Sequence, residues 1–176
     1  MGLAQDALGN SSKALEAYQK ALILDPRQAK THYYLGALYD KMGRKEEAVR
    51  SIKRSIELDP NDADSYNYLG YLYAEEGIHL DEAVSLVQKA LKIAPNNGAY
   101  LDSLGWAYFK QGKLEEARHH VEEAIQAMGD DPILHDHLGD IYFQQGDVER
   151  AKGEWKKSFS IDPKQEAVKK KLDGKQ

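Results

Sequence analysis

Between Ala29 and Pro163 the apolar residues follow a helical rhythm that switches between two registers. Tyr66, Leu69, Gly70 and Tyr73 fall at i, i+3, i+4 and i+7, which is one face of a helix. Ala117, Val121, Ala124 and Ile125 fall at i, i+4, i+7 and i+8, the stripe of a second amphipathic helix. The alternation recurs. Leu-Gly appears at Leu35-Gly36, Leu69-Gly70, Leu104-Gly105 and Leu138-Gly139, at spacings of 34, 35 and 34. Tyr39, Tyr73, Tyr108 and Tyr142 follow three residues after each Gly, and Gly43, Gly77, Gly112 and Gly146 seven residues after. Ala48, Ala83, Ala117 and Ala151 then open the second stripe, and Pro26, Pro60, Pro95 and Pro163 close most units.

Each unit is therefore expected to form a helix A, a turn at the second Gly, and a helix B. Small residues such as Gly36 and Ala48 let the two helices approach, while bulky Tyr and Leu fill the space beside them. The expected core is Leu35, Tyr39, Leu69, Tyr73, Leu104, Tyr108, Leu138 and Tyr142. One helix pair buries too little apolar surface to stand alone, so successive pairs must stack.

Set against the pattern W-x2-L-G-x2-Y, A-x3-F, P, the repeat resembles the tetratricopeptide repeat (TPR) family. The resemblance implies an all-α, right-handed superhelical solenoid in which residues 1–176 form one domain. Full repeats are expected at 29–62, 63–97, 98–131 and 132–165. Residues 1–28 read as a first repeat with a truncated helix A, retaining Met1-Gly2, Gly9, Ala14, Tyr18, Ala21 and Pro26, which suggests an excised fragment. Residues 166–176 read as a capping helix and tail, the helix drawn from the polar stretch Lys164 to Leu172. Departures are local: the Trp position reads His32, Tyr66, Leu101 and His135, one residue is inserted within Ile78 to Leu80, and Gly129 stands where a Pro is expected. A second resemblance, to TPR lipoproteins and adaptors of the bacterial cell envelope, rests on Leu69-Gly70-Tyr71, Leu80-Asp81-Glu82-Ala83, Leu101 to Trp106 and His137 to Asp140. It implies a soluble segment of the bacterial periplasm or envelope; a generic module would suit the cytoplasm equally.

Composition changes the picture by exclusion. A formal net charge of -5 disfavours nucleic acid, which calls for a basic face. With no Cys there is neither a disulfide framework nor a thiolate metal site. No run approaches the roughly 18 apolar residues of a membrane span, so no membrane contact is expected of this segment.

No nucleophile-base pair, phosphate loop or H-E-x-x-H motif is present, and the chain reads as no enzyme, with no cofactor. Gly9 to Lys13 reads as a turn with an N-cap. His119 and His120 point about 100° apart on a helix and His135 and His137 about 200° apart, so neither pair chelates by itself and no metal site is expected. These His residues read as solvated or at the core edge. Glu46-Glu47, Asp81-Glu82 and Glu115-Glu116 suit the start of a helix, and Lys156, Lys157 and Lys169 to Lys171 suit helix ends.

What remains is the face of helix A opposite its core stripe, which in TPR arrays lines a concave groove. Here it would carry Tyr33, Asn67, Tyr71, Asp102, Trp106, Phe109, Asp136, Asp140 and Phe143, flanked by Tyr34, Tyr68 and His137. All of these except His137 are the candidate partner-binding residues. The expected function is a protein-protein interaction adaptor that holds a peptide or protein mixing Lys or Arg with apolar anchors, Asp102 and Asp136 forming an acidic ladder beside Trp106. The alternative is a self-assembling scaffold using the solenoid ends or the convex face.

Overall fold

The computed structural model describes Gly2 and residues 9–174, and among them it holds ten α-helices and no strand. They are α1 (Ser11–Leu24), α2 (Ala29–Lys41), α3 (Lys45–Leu58), α4 (Ala63–Glu76) and α5 (Leu80–Ile93), then α6 (Gly98–Lys110), α7 (Leu114–Met128), α8 (Pro132–Gln144), α9 (Val148–Ile161) and α10 (Glu166–Leu172). Helices α2, α4, α6 and α8 are the A helices and α3, α5, α7 and α9 their B partners. Most of the first repeat's helix A falls outside the described residues.

Local chemistry sets the boundaries. Gly43, Gly77, Gly112 and Gly146 end or follow the A helices with positive φ, a conformation that costs Gly nothing. Asn10, Asn97, Asp131 and Asp147 cap α1, α6, α8 and α9 through their side chains. The acidic pairs at Glu46, Asp81 and Glu115 all fall in first turns. Asp25, Asp59, Ala94 and Asp162 precede Pro and stop the B helices, since that position is driven out of the helical region. Where Pro is missing, Gly129 at φ 84 makes the same stop. The inserted residue lengthens α4 to 14 residues and leaves His79 in the left-handed region at φ 48.

Each A helix packs tightly on its own B helix because the Leu-Gly glycine leaves no side chain between them. A Cβ on Gly70 would lie 2.6 Å from Val87 Cγ2 and 2.9 Å from the Ala83 carbonyl oxygen. Gly36, Gly105 and Gly139 are closed off in the same way by Ile52, Val121 and Trp155. Gly2 meets Tyr18 likewise. Of the expected core residues, Leu35, Leu69, Tyr73, Leu104, Leu138 and Tyr142 are buried. Tyr39 and Tyr108 are only half-buried. Their rings lie at the outer rim, covered by Arg44 and Lys113, where an amphipathic ring keeps its hydroxyl near water.

Successive A helices are bridged by side chains and approach most closely between α4 and α6, and each B helix touches the A helix that follows, whereas successive B helices scarcely meet. The array therefore curls with its A helices inside. B helices bury one stripe, as in α7 with Ala117, Val121 and Ala124; α6 buries eight residues around its circumference. At the far end α10 begins at Glu166, after a turn at Pro163 and Lys164, and inserts Val168, fully buried, between Trp155 and its neighbours. It occupies the place of the next A helix.

Candidate partner-binding face

The inner face is aromatic at one end, acidic in the middle and apolar at the other end. At the first end Tyr18, Tyr34, Tyr33 and Tyr68 form a chain of ring contacts across α1, α2 and α4, with centroids 5.5 to 6.2 Å apart. Tyr33, Tyr34, Tyr68 and Tyr71 are each half-buried, so their rings both pack and face outward. Burial, with Glu75 and Asp102 adding to it, pushes the Tyr71 phenol up to about 12. Burial and the Asp40 carboxylate raise Tyr68 still further. Asn67 is half-buried beside them, and its enclosed side-chain oxygen has no hydrogen-bond donor among the described residues.

The acids of this face are engaged from the neighbouring A helix. Tyr68 Oη donates to Asp40 at 2.9 Å, and Tyr100 Oη donates to Asp64 at 2.5 Å. The Trp106 indole N–H donates to Glu75. His137 Nδ1 pairs with Asp102 at 2.8 Å, and Lys171 of α10 donates to Asp136 at 2.6 Å and to Asp140 at 2.8 Å. Asp102 and Asp136 thus do not stand as an open ladder; each holds the next helix in register. Tyr68, His137 and Lys171 are each the sixth residue of their helix, so the same place in the repeat supplies four of these six contacts.

Trp106 is also drawn inward. It is 8% exposed and lies between the His137 ring at 4.2 Å and the Phe109 ring at 4.8 Å, both stacked on it. His135 and His137 are buried rather than at the surface, because each has acids to pair with: Glu154 and Asp130 for His135, Asp102 for His137. Burial pulls the His137 pKa down, but the charge and hydrogen bond of Asp102, with Asp136 and Asp140 behind, lift it above the ordinary value.

At the other end the face opens. Phe109, Asp140, Phe143, Gln144, Ala167, Lys170 and Lys171 line a cleft of about 440 Å³ between α6, α8 and α10. Phe143 is 40% exposed and Phe109 half-buried. A second hollow of about 380 Å³ lies off this face, where α3 meets the α4–α5 turn and Ile78 stands exposed.

Family models described as tetratricopeptide repeat match residues 29–62, 52–84, 73–136 and 108–172, and one described as TPR repeat matches 7–43. The chain belongs to the tetratricopeptide repeat family. Membership supports a general role in protein-protein interaction. No curated protein is similar enough in sequence to count as a relative. Among solved structures, the thermophilic TPR protein TTC0263 of Thermus thermophilus is 21% identical with a TM-score of 0.83, covering 99% of this chain and 94% of that one. MamA is 24% identical with a TM-score of 0.74, covering 95% and 97%. PilW, a type IV pilus biogenesis factor, is 19% identical with a TM-score of 0.84, covering 90% and 73%. At these identities the likeness is one of fold. No helix among the described residues is long and apolar enough to cross a membrane.

Sequence reasoning passed over Tyr100, which ties α6 to Asp64, and read Lys171 only as a helix-end charge, whereas it ties α10 to the acids of α8. The repeat held the signal for Lys171: it lies 34 residues after His137, one period on.

Proposed function

We propose that this TPR chain is an adaptor that holds a segment of a partner protein along the inner face of α2, α4, α6 and α8, with an apolar side chain seated between Phe109 and Phe143. The observation that carries this reading is the cleft of about 440 Å³ at the end of that face, walled by two Phe rings. Burying an exposed aromatic ring against a partner is the usual source of a hot spot. Tyr33, Tyr34, Tyr68 and Tyr71 extend the contact toward the first repeat. Trp106, Asp102 and Asp136 act from beneath, by holding the A helices that present the rings. Asp140 lines the cleft but shares Lys171 with Asp136, and Lys170 stands at the rim, so recognition is chiefly apolar there and salt shifts it little.

The test is capture from the source cell's lysate with wild-type chain, Phe143→Ala and Arg54→Ala as baits. A partner lost on Phe143→Ala and kept on Arg54→Ala supports the reading; one kept on both places the site elsewhere. Self-assembly has one observation in its favour, the exposed pair Ile23 (80%) and Leu24 (87%) on α1. Light scattering across a concentration series, with Ile23→Glu as the comparison, separates the two: an adaptor stays monomeric in both forms.

A further inference from the structure

The outer face of α7 carries a cluster that the inner face does not use. His119 and His120 are adjacent, and the side chain that relates them lies one turn on. At about 100° per residue, Glu123 falls about 40° from His119 and about 60° from His120, between the two. His119 Nε2 lies 3.6 Å from Glu123 Oε1, His120 Nδ1 lies 2.8 Å from Glu123 Oε2, and the two imidazole centroids are 5.2 Å apart. One potential ligand atom from each residue falls within 4.8 Å of the other two.

We propose that His119, His120 and Glu123 form a three-ligand site for a divalent transition-metal ion, zinc first among them. Two imidazole nitrogens and one carboxylate are a donor set that zinc takes at about 2.0–2.2 Å, which brings the ligand atoms to roughly 3.4 Å of one another in a tetrahedron. The cluster needs only side-chain rotation to reach that spacing, because all three residues sit within one turn of a 15-residue helix. His120 is the ring held in place: it stacks on Tyr108 with centroids 5.6 Å apart and planes 13° apart. The neighbouring cation does not compete. Arg118 is committed to Glu115 and Glu122, and Glu122 also accepts from Tyr142, which leaves Glu123 with the two His as its partners. Three protein ligands leave a coordination position open to water or to a donor from another molecule.

Calorimetric titration of Zn2+ alone into the full chain, near pH 7.5, tests the site. One ion should bind per chain. Affinity should fall tenfold or more in His119→Ala and in Glu123→Gln. His119 is exposed and Glu123 half-buried, and far-UV circular dichroism checks that the helices persist. Absence of binding, wild-type affinity in either variant, or one ion per two chains would each overturn the proposal.

Discussion

Adding one methyl group at Gly70 separates close helix packing from helix propensity, because Gly153 supplies a matched control. Both glycines lie inside helices, α4 and α9. In an open helix Gly→Ala gains about 1 kcal/mol from propensity and the reduced freedom of the unfolded chain. A Cβ at Gly153 meets nothing within 4 Å, so Gly153→Ala should stabilise by about that amount. A Cβ at Gly70 would lie 2.6 Å from Val87 Cγ2 and 2.9 Å from the Ala83 carbonyl oxygen. The valine methyl could turn away; the carbonyl belongs to α5 and moves only if the helices part. Overpacking of this kind costs about 1–3 kcal/mol or more, which outweighs the propensity gain over most of that range. At roughly 2–4 °C per kcal/mol for a chain of this size, Gly153→Ala should melt about 2–4 °C higher than wild type and Gly70→Ala up to about 8 °C lower. Gly36→Ala should fall between them, since its nearest atoms are the flexible end of Ile52. Melting followed by circular dichroism decides it. If Gly70→Ala rises as Gly153→Ala does, the close contact between α4 and α5 is not what the glycine is for.

Three further outcomes follow from the packing. Trp106→Ala should cost about 3–5 kcal/mol in chemical denaturation, since the ring is buried between His137 and Phe109; a loss below about 1 kcal/mol would mean the ring is not structural. Val168→Asp should expose the last apolar face around Trp155 and Ile141, raising dye binding and lowering solubility before helicity falls, and unchanged solubility would refute a capping role for α10. His137 has a folded pKa above its unfolded value of about 6.5, so its stabilising pairing with Asp102 is fully present below that pH and is lost as the pH rises through the folded pKa. The stability difference between wild type and His137→Gln should therefore shrink on going from about pH 6 upward; a difference constant across pH, read by denaturation at each value, would show that His137 does not titrate with folding.

The candidate face shows where a sequence stops being informative. Tyr33, Tyr71, Asp102, Trp106 and Phe143 all belong to the side of helix A away from the Leu-Gly stripe, and the helical period alone assigns them there. Period does not say what the next helix brings. Asp102 meets His137 and Asp136 meets Lys171 because α8 and α10 deliver those donors from 35 residues away in each case. Trp106 is covered for the same reason, whereas Phe143 stays partly open because the short α10 leaves a cleft beside it.

The repeat period, the helix pairs and their stops are properties of short stretches: a Leu-Gly stripe, a Gly at positive φ, a residue held extended before Pro. These the sequence determined by itself, since each rests on interactions within a few residues and recurs along the chain. Only the tertiary structure decided which polar groups of the inner face are spent on holding helices together and which aromatic rings remain to meet a partner. Those outcomes depend on side chains about one repeat apart arriving at the same rung, and a periodic pattern records the rung without the contact. The cluster on α7 was local, yet reading His119 and His120 as a pair concealed it; the backbone of one helical turn sets Glu123 between them.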